Sequence, residues 1–406
     1  MTESSAVSTE IRWPGVVVVG GGATGLLTAL ELDGQGFAAL VVEEGSLCSR
    51  QTGQSHGWLH RGGVFPDARA EDFEQLDEGA RRWTELVERT GNSGAFTGCR
   101  IGGVTQSTFA AVTAAWGHLQ LPYEHTATTT GACDWMIRAP ESAIVPVQAL
   151  RAALGDSGVA LRRAEAVKLL PGRSGSTVES LLVRAGQRSF RLTADAFVLA
   201  NGAGITALLP EGQLSSAVVR RLSFMLVTRT DAAMNLGVAI PEQEALGLFA
   251  VPRVSDGHRY VLLSNFISYA PTAELRHSRD NWLAGIRPTV QRFLPDLWQA
   301  KDALWGVYSA VKAEPTRQVA LGVSDMALLP SPYGNVVAGV PGKLTLAPLL
   351  AERLADAVAP HTRHREAAAD GLLEHLPAAR WGPEEWEVTP LVRRSTLYRE
   401  SGRHQP

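Results

Sequence analysis

The apolar positions of this chain fall into two rhythms, short unbroken runs and helical stripes, in an order that builds a parallel sheet. The run VVVV at 16–19 is β-branched at every position and bounded by glycine, which predicts a strand buried on both faces. Residues 24–32 read as a helix closed by Gly34 and Gly36, and 38–42 as a second buried strand. Together they take about 30 residues, the length of one βαβ unit. Phe73, Leu76, Ala80, Trp83, Leu86 and Val87 recur at helical spacing between Glu71 and Thr90, with acids early and Gly91 as the stop. They predict an amphipathic helix. The stretch 94–130 mixes glycine and threonine without a clear period and takes no assignment.

Residues 189–192 read as a strand that turns into another buried strand at 195–200, ending in Asn201-Gly202-Ala203-Gly204. At 218–228 and 259–266 the pattern changes to longer strands rich in aromatic and β-branched residues, with Asp256-Gly257 as a hairpin signal. These read as a separate, mostly β layer. The last strong elements are a strand at 335–338, a turn at 339–342 and a helix from about Thr345 to Val358. Beyond Pro360 the chain is charged, WGPEEWE being its only aromatic island, and it reads as a peripheral extension. No internal repeat is visible.

The chain has 406 residues, long for one core, and two domains interleaved in sequence are expected. Hydrophobic residues are 45% and charged residues 19%, with a formal net charge of −3, so nothing in the composition calls for nucleic acid or an anionic membrane. The polar residues 1–10 read as a disordered tail rather than a signal peptide, and no apolar stretch is long enough for a membrane span. Cys48, Cys99 and Cys133 match neither a zinc site nor a disulfide framework, which points to a reducing, cytoplasmic setting. His361 and His364 have no companions to complete a metal site, and none is expected.

Gly20-x-Gly22-x-x-Gly25 follows a strand and opens a helix, the context that the dinucleotide fingerprint demands. Gly20 permits the tight turn, Gly22 lets a pyrophosphate lie against the backbone, and Gly25 lets helix and strand pack closely. The helix N-terminus presents N–H groups and partial positive charge to the phosphates. Glu43, at the end of the second strand, supplies the carboxylate for ribose hydroxyls. The unit serves NAD, NADP and FAD alike, and the local residues leave that choice open.

VVVVGGGATGLLTALELDGQGFAALVVEEG resembles the start of the FAD-dependent oxidoreductases of the D-amino-acid oxidase superfamily, which includes glycine oxidase, sarcosine oxidase, glycerol-3-phosphate dehydrogenase and 2-hydroxyglutarate dehydrogenase. SRQTGQSHGWLHRGG, residues 49–63, is similar to the family's polar segment that runs past the pyrophosphate to the flavin ring. ADAFVLANGAG, residues 194–204, resembles its strand and glycine turn, with Asn201 where threonine is usual. GNVVAGVPGKLTLAPLLAERLADAV, residues 334–358, is like its C-terminal strand, loop and helix that close over the flavin.

The resemblance implies an α/β fold, a Rossmann-like FAD-binding domain made discontinuously of 12–70, 143–205 and 306–360, with an inserted β-rich α+β substrate domain of 71–142 and 206–305 and 361–406 as a C-terminal extension. It implies FAD held by Gly20, Gly22, Ala23, Thr24, Gly25, Glu43, Glu44, Arg50, Thr52, Ser55, His56, Gly57, Val167, Asn201, Gly202, Gly342, Lys343, Leu344 and Thr345. Some members attach flavin to a histidine in the stretch that holds His56, and a hydrogen-bonding histidine is the alternative. Around the reacting carbon the resemblance implies His56, His60, Tyr308, Lys312, Lys343 and Arg221, with Arg61, Trp58 and Trp305 as further wall candidates. WGVYSAVKAEPT occupies the place of the family's arginine- and proline-containing stretch, yet it has lysine and lacks the Arg-Pro pair. Negative charge that develops near flavin N1 and O2 would be met by Lys343 and the helix behind it. The expected reaction is hydride removal from a C–H beside an amine, of an amino acid or secondary amine, with dioxygen as the acceptor. The alternatives are a dehydrogenase of a 2-hydroxy acid or polyol with another acceptor, and a non-catalytic nucleotide-binding protein.

Overall fold

The computed structural model describes residues 9–63, 70–91, 96–104, 106–127, 135–209, 217–231, 238–239, 248–316, 326–364 and 373–402; residues 1–8 and Cys133 lie outside them. The four valines form the strand Val16–Val19 inside a six-stranded sheet ordered Ala327–Leu329, Val336–Val340, Ala196–Leu199, Val16–Val19, Ala39–Glu43, Ala160–Arg163. Every pairing is parallel except that of the Ala327–Leu329 edge. Val16 lies opposite Ala39 on one side and Ala196 on the other. Both faces of this sheet are covered. Val16 and Val18 share a core with the helices Ala23–Gly34 and Ala347–Val358. Val17 and Val19 pack towards a four-stranded sheet of Thr9–Arg12, Arg188–Thr193, Val178–Ala185 and Glu165–Pro171. Burial on both sides is why every position, rather than every second one, is apolar. Thr9 and Glu10, expected in a disordered tail, open the first strand of the smaller sheet.

A ten-stranded sheet makes the rest of the β structure. It runs Val392–Arg393, Leu304–Pro315, Val218–Arg229, His258–Ser264, Leu248–Ser255, Val238–Ala239, Phe96–Val104, Trp135–Ile144, Trp58–Leu59, with Glu124–Ala127 paired to Trp135–Ile144. Asp256 and Gly257 take φ of 49° and 74° and close the expected hairpin, the primed geometry that a two-residue turn between twisted strands requires. The stretch without a sequence assignment contains the strand Phe96–Val104 and the helix Gln106–His118. Leu304–Pro315 pairs along its whole length with Val218–Arg229, so this strand, grouped from sequence with the dinucleotide part, is hydrogen-bonded into the large sheet.

The helix Leu275–Phe293 lies in a stretch to which the sequence pattern gave no element. Trp282, Leu283, Ile286 and Val290 fasten it to the large sheet. Pro288 reads as a break in that stripe, and the apolar contacts on either side of it carry the helix through.

The C-terminal segment is not peripheral. Leu373 and Leu376 join the core between the two smaller sheets, and Leu397 joins the core of the large one. Trp386 is 1% exposed and packs on Tyr260 at 5.0 Å between ring centroids. A few large apolar side chains anchor the segment while many of its charged residues, Glu384 excepted, stand outward. His364 stacks on Phe37 at 5.0 Å, and no cluster of metal-ligating groups occurs among the described residues. No helix among them is long and apolar enough to cross a membrane. Replacing Trp386 by alanine should cost about 3–5 kcal/mol in denaturant-induced unfolding. A peripheral tail would keep the loss within about 0.5 kcal/mol.

Candidate active site

Where Val16–Val19 meets the helix Ala23–Gly34, the three glycines do separate work. Gly20 has φ +110°, and a Cβ there would stand 2.7 Å from Ala200 O. A Cβ on Gly25 would stand 2.0 Å from Gly20 O, so helix and turn touch backbone to backbone. A Cβ on Gly22 would meet only Thr52 Oγ1, at 3.2 Å, because this residue faces a cavity. The helix has no side-chain cap of its own at Gly22; Ala23 N donates instead to Thr52 Oγ1 at 2.9 Å. Glu43 Oε2 accepts from Gly21 N at 2.7 Å and Oε1 from Gly45 N at 2.9 Å, which fixes its carboxylate on the cavity wall.

The cavity holds about 720 Å³, within the range of small-molecule sites. Gly20, Gly22, Ala23, Thr24, Glu43, Glu44, Arg50, Thr52, Ser55, His56, Asn201, Gly202, Gly342, Lys343 and Leu344 all line it, as do His60, Tyr308 and Lys312. Arg50 and Glu44 form an ion pair at its rim. Residues scattered over most of the chain therefore meet in one crevice. Several expected residues stand behind the wall instead. Gly25 packs against the turn. Gly57, at φ +72°, accepts from Ile144 N at 2.9 Å and would drive a Cβ into Ile144 O. Thr345 Oγ1 accepts from His60 N at 3.0 Å and so holds the histidine segment against the Lys343 loop. Val167 is 39% exposed, and its neighbours Ala164, Glu165 and Ala166 reach the cavity. Arg221 pairs with Glu314 at 3.2 Å and lies opposite Lys312 in the strand register. Arg61 turns to Asp77 at 3.0 Å, and Trp305 is buried in the core of the large sheet, whereas Trp58 does line the cavity.

The polar wall is strongly desolvated. His56 stacks on Phe249 at 5.0 Å, and its Nδ1 accepts from Trp58 N at 3.1 Å, which leaves the ring proton on Nε2. Burial, with the charges of Lys312, Arg253 and Lys343, lowers its pKa to about 3, so it is neutral at physiological pH. His60 is pushed well below the ordinary histidine value by burial first and Lys343 next. Lys343 follows Gly342, whose φ is +65°, and precedes the helical turn Leu344–Leu346 and the helix Ala347–Val358. Enclosure lowers its ammonium to about 8; Glu314 opposes that shift, and Lys312 and Arg221 reinforce it. Lys312 is lowered for the same first reason, with Glu314 again opposing. Burial raises the Tyr308 phenol well above its usual value.

Three buried ionisable side chains escaped the sequence reading. Arg253 Nη2 donates to His56 O and to Ile144 O, both at 2.6 Å, and so clamps the turn that carries His56. Glu141 accepts from Trp58 Nε1 and Trp116 Nε1 and from the backbone of Arg61 and Gly63. Glu384 Oε1 accepts from Val147 N at 3.0 Å. Parity was the available signal for the first two. Arg253 follows Phe249 and Val251 on their inward face, and Glu141 sits among Ile137, Ala139 and Ala143.

The donor set suits FAD. A bare backbone turn and a helix N-terminus face the phosphate side, with Glu43 ready for ribose hydroxyls. Tyr308 Oη and Asn201 Oδ1 are buried atoms on the same wall without a partner among the described residues, so a polar ligand has groups to satisfy. Valine at Gly22 should leave the fold intact, since its Cβ meets only the Thr52 hydroxyl and otherwise faces the cavity, but abolish flavin retention. Valine at Gly25 should lower the thermal midpoint itself. Absorbance near the flavin band together with a melting curve separates the two, and a Gly22→Val protein that keeps its colour would contradict this assignment.

Comparison with known proteins agrees with this geometry. Residues 15–357 match the family model described as FAD dependent oxidoreductase (DAO). The chain is 27% identical over 414 residues to the FAD-dependent oxidoreductase PA4991 of Pseudomonas aeruginosa, covering 94% of this chain and 98% of that protein. The crystal structure of that protein superposes with a TM-score of 0.69 at 23% identity, over 94% of this chain and 99% of the other. Glycine oxidase from Geobacillus kaustophilus gives 0.65 at 18% identity, over 91% and 99%. NikD, an unusual amino acid oxidase essential for nikkomycin biosynthesis, gives 0.63 at 19% identity, over 91% and 98%. The family match runs from the glycine turn through the Lys343 loop, and the chain belongs to the FAD-dependent oxidoreductases of the DAO family, enzymes whose cofactor is FAD.

Proposed function

We propose that the protein oxidises a C–H bond beside an amine, in an amino acid or secondary amine, and that dioxygen is the final electron acceptor. FAD, when bound, supplies the two-electron acceptor for the hydride. The chain supplies position, charge and dryness. Lys312 and Lys343 line the cavity as two cations, with Arg221 beside Lys312 in the sheet, and they suit a substrate carboxylate in place of the absent Arg-Pro pair. Tyr308 Oη is a buried donor on the same wall. Phe249 and Trp58, packed around His56, exclude water from it.

The observation that carries the amine reading is the state of His56. Its Nδ1 lone pair is engaged by Trp58 N and its Nε2 bears the proton, so it donates and does not accept. A neutral amine gives up hydride without a side-chain base, whereas a hydroxyl must also lose its proton. Glycine oxidase and NikD, which share the fold, support both an amino acid substrate and an oxidase outcome. The dinucleotide part, in this reading, is the six-stranded sheet with its helices, and the substrate part is the ten-stranded sheet with the helix Leu275–Phe293.

Anaerobic titration with amino acids, secondary amines and 2-hydroxy acids tests the substrate class. Bleaching of the flavin by an amine and not by the hydroxy acids is expected; the reverse pattern ends the amine reading. Stirring the reduced protein in air should restore the colour within seconds, and slow return would rule out an oxidase. Lys343 carries its charge below about 8 and loses it above. The rate of flavin reduction should therefore fall as pH rises through that value. Lys343→Met should lower the rate about 10²-fold at neutral pH and remove this fall from the profile.

A further inference from the structure

The family match ends at residue 357, yet the chain beyond it returns to the cavity. Leu47 N donates to Arg380 O at 2.7 Å, Gly382 N to Leu47 O at 2.9 Å, and Glu385 N to Gly53 O at 2.9 Å. The two stretches are too close for side chains between them. A Cβ on Gly382 would stand 3.1 Å from both Leu47 O and Ser49 Cβ, and one on Gly53 would stand 3.3 Å from Pro383 O. The loop gripped in this way is the one that supplies Ser46, Cys48, Ser49, Arg50, Gln51 and Thr52 to the cavity wall, and its Thr52 holds the first N–H of the phosphate-facing helix.

The same stretch is anchored on four other elements. Glu384, 2% exposed, accepts from Val147 N in the first turn of the helix Pro146–Leu154. Trp386 packs on Tyr260, and Glu387 Oε1 accepts from Ser255 Oγ at 2.9 Å. Arg393 and Val392 then pair with Leu304 and Trp305, which open the strand carrying Tyr308 and Lys312. One continuous segment thus spans from the cofactor loop on one side of the cavity to the substrate strand on the other.

We infer that residues 380–393 act as a strap that holds the loop 46–53 closed on FAD, so that cofactor retention is set from outside the family core. Gly382 and Glu385 are its positioning residues, working through the backbone of Leu47 and Gly53. The inference rests on FAD occupying this cavity and goes beyond the choice of substrate. A loop held by three backbone hydrogen bonds opens less often than one held by none, and FAD leaves only when the wall opens.

Glu385 allows a mild test. It is the first residue of the short helix Glu385–Val388, where proline is tolerated, and the preceding Glu384 already has φ −65° and ψ 135°. Glu385→Pro therefore deletes the N–H that reaches Gly53 and little else. The measurement is the FAD release rate of the full-length holoprotein on dilution, followed by recovery of flavin fluorescence, with the apoprotein melting curve alongside. Release about 5-fold faster in Glu385→Pro is expected, in line with the loss of one hydrogen bond. Gly382→Val, which pushes the strap off Leu47, should exceed 10-fold. Excess FAD should restore stoichiometric bound flavin with its original absorption spectrum. Arg138→Ala, which loses only an exposed ion pair with Glu124 away from the strap and the cavity, serves as the control and should release FAD at the original rate. Release within 2-fold of the original in both strap variants overturns the inference, as does equal acceleration in the control. Acceleration accompanied by an equal fall of the apoprotein midpoint in Glu385→Pro also overturns it, since that marks general destabilisation. An unmodified protein that binds no FAD at all would instead sink the cofactor reading.

Discussion

The backbone contact between Gly25 and Gly20 O is the constraint on which the site depends. A Cβ at 2.0 Å from that oxygen is impossible, so the helix Ala23–Gly34 can approach the end of Val16–Val19 only with a bare residue at that point. The approach aims the helix N-terminus at the cavity and brings Gly21 N within reach of Glu43 across the neighbouring strand. Thr52 completes the turn from a distant loop by taking Ala23 N. The aim of the helix N-terminus, the place of the Glu43 carboxylate and the position of the 46–53 loop all follow from the same close packing.

Around that fixed turn, the cavity wall is built by residues that are costly to bury. His56 stays neutral because burial against an apolar ring disfavours its charge and three cations add to the effect, and Lys343 is held near the edge of its charged range. Desolvation makes each remaining charge act strongly on a ligand within the cavity. Arg253 and Glu141 serve this wall from behind, one by gripping the His56 carbonyl and the other by gathering two indole N–H groups and two backbone N–H groups of the 58–63 segment. Such buried charges are tolerated because backbone partners satisfy them.

The C-terminal segment shows how composition misleads. Its charges suggest solvent, but Trp386 and Leu397 are buried, and Gly382 lies against the loop 46–53. Hydrophobic burial is decided by a few large side chains and by contact with elements hundreds of residues away. An average over forty residues dilutes that signal. The helix Leu275–Phe293 was missed for a related reason, since Pro288 argues locally against helix and only the packed face overrides it.

The sequence by itself determined the parts whose physics is local. The valine run, the glycine spacing, Glu43 at the next strand end and the Asp256-Gly257 hairpin each follow from backbone sterics or periodicity within a short window. With the family resemblance these were enough for the fold, the cofactor and most of the residues on the cavity wall. Tertiary structure decided what depends on partners far apart in the chain. It placed Arg221 against Glu314, turned Arg61 to Asp77, buried Trp305, exposed Val167, and brought Arg253, Glu141 and residues 380–393 to the back of the wall. The reason is that side-chain direction in a strand alternates with every residue, while the identity of the neighbour is set by sheet order and by the long connections between sheets, which no local pattern encodes.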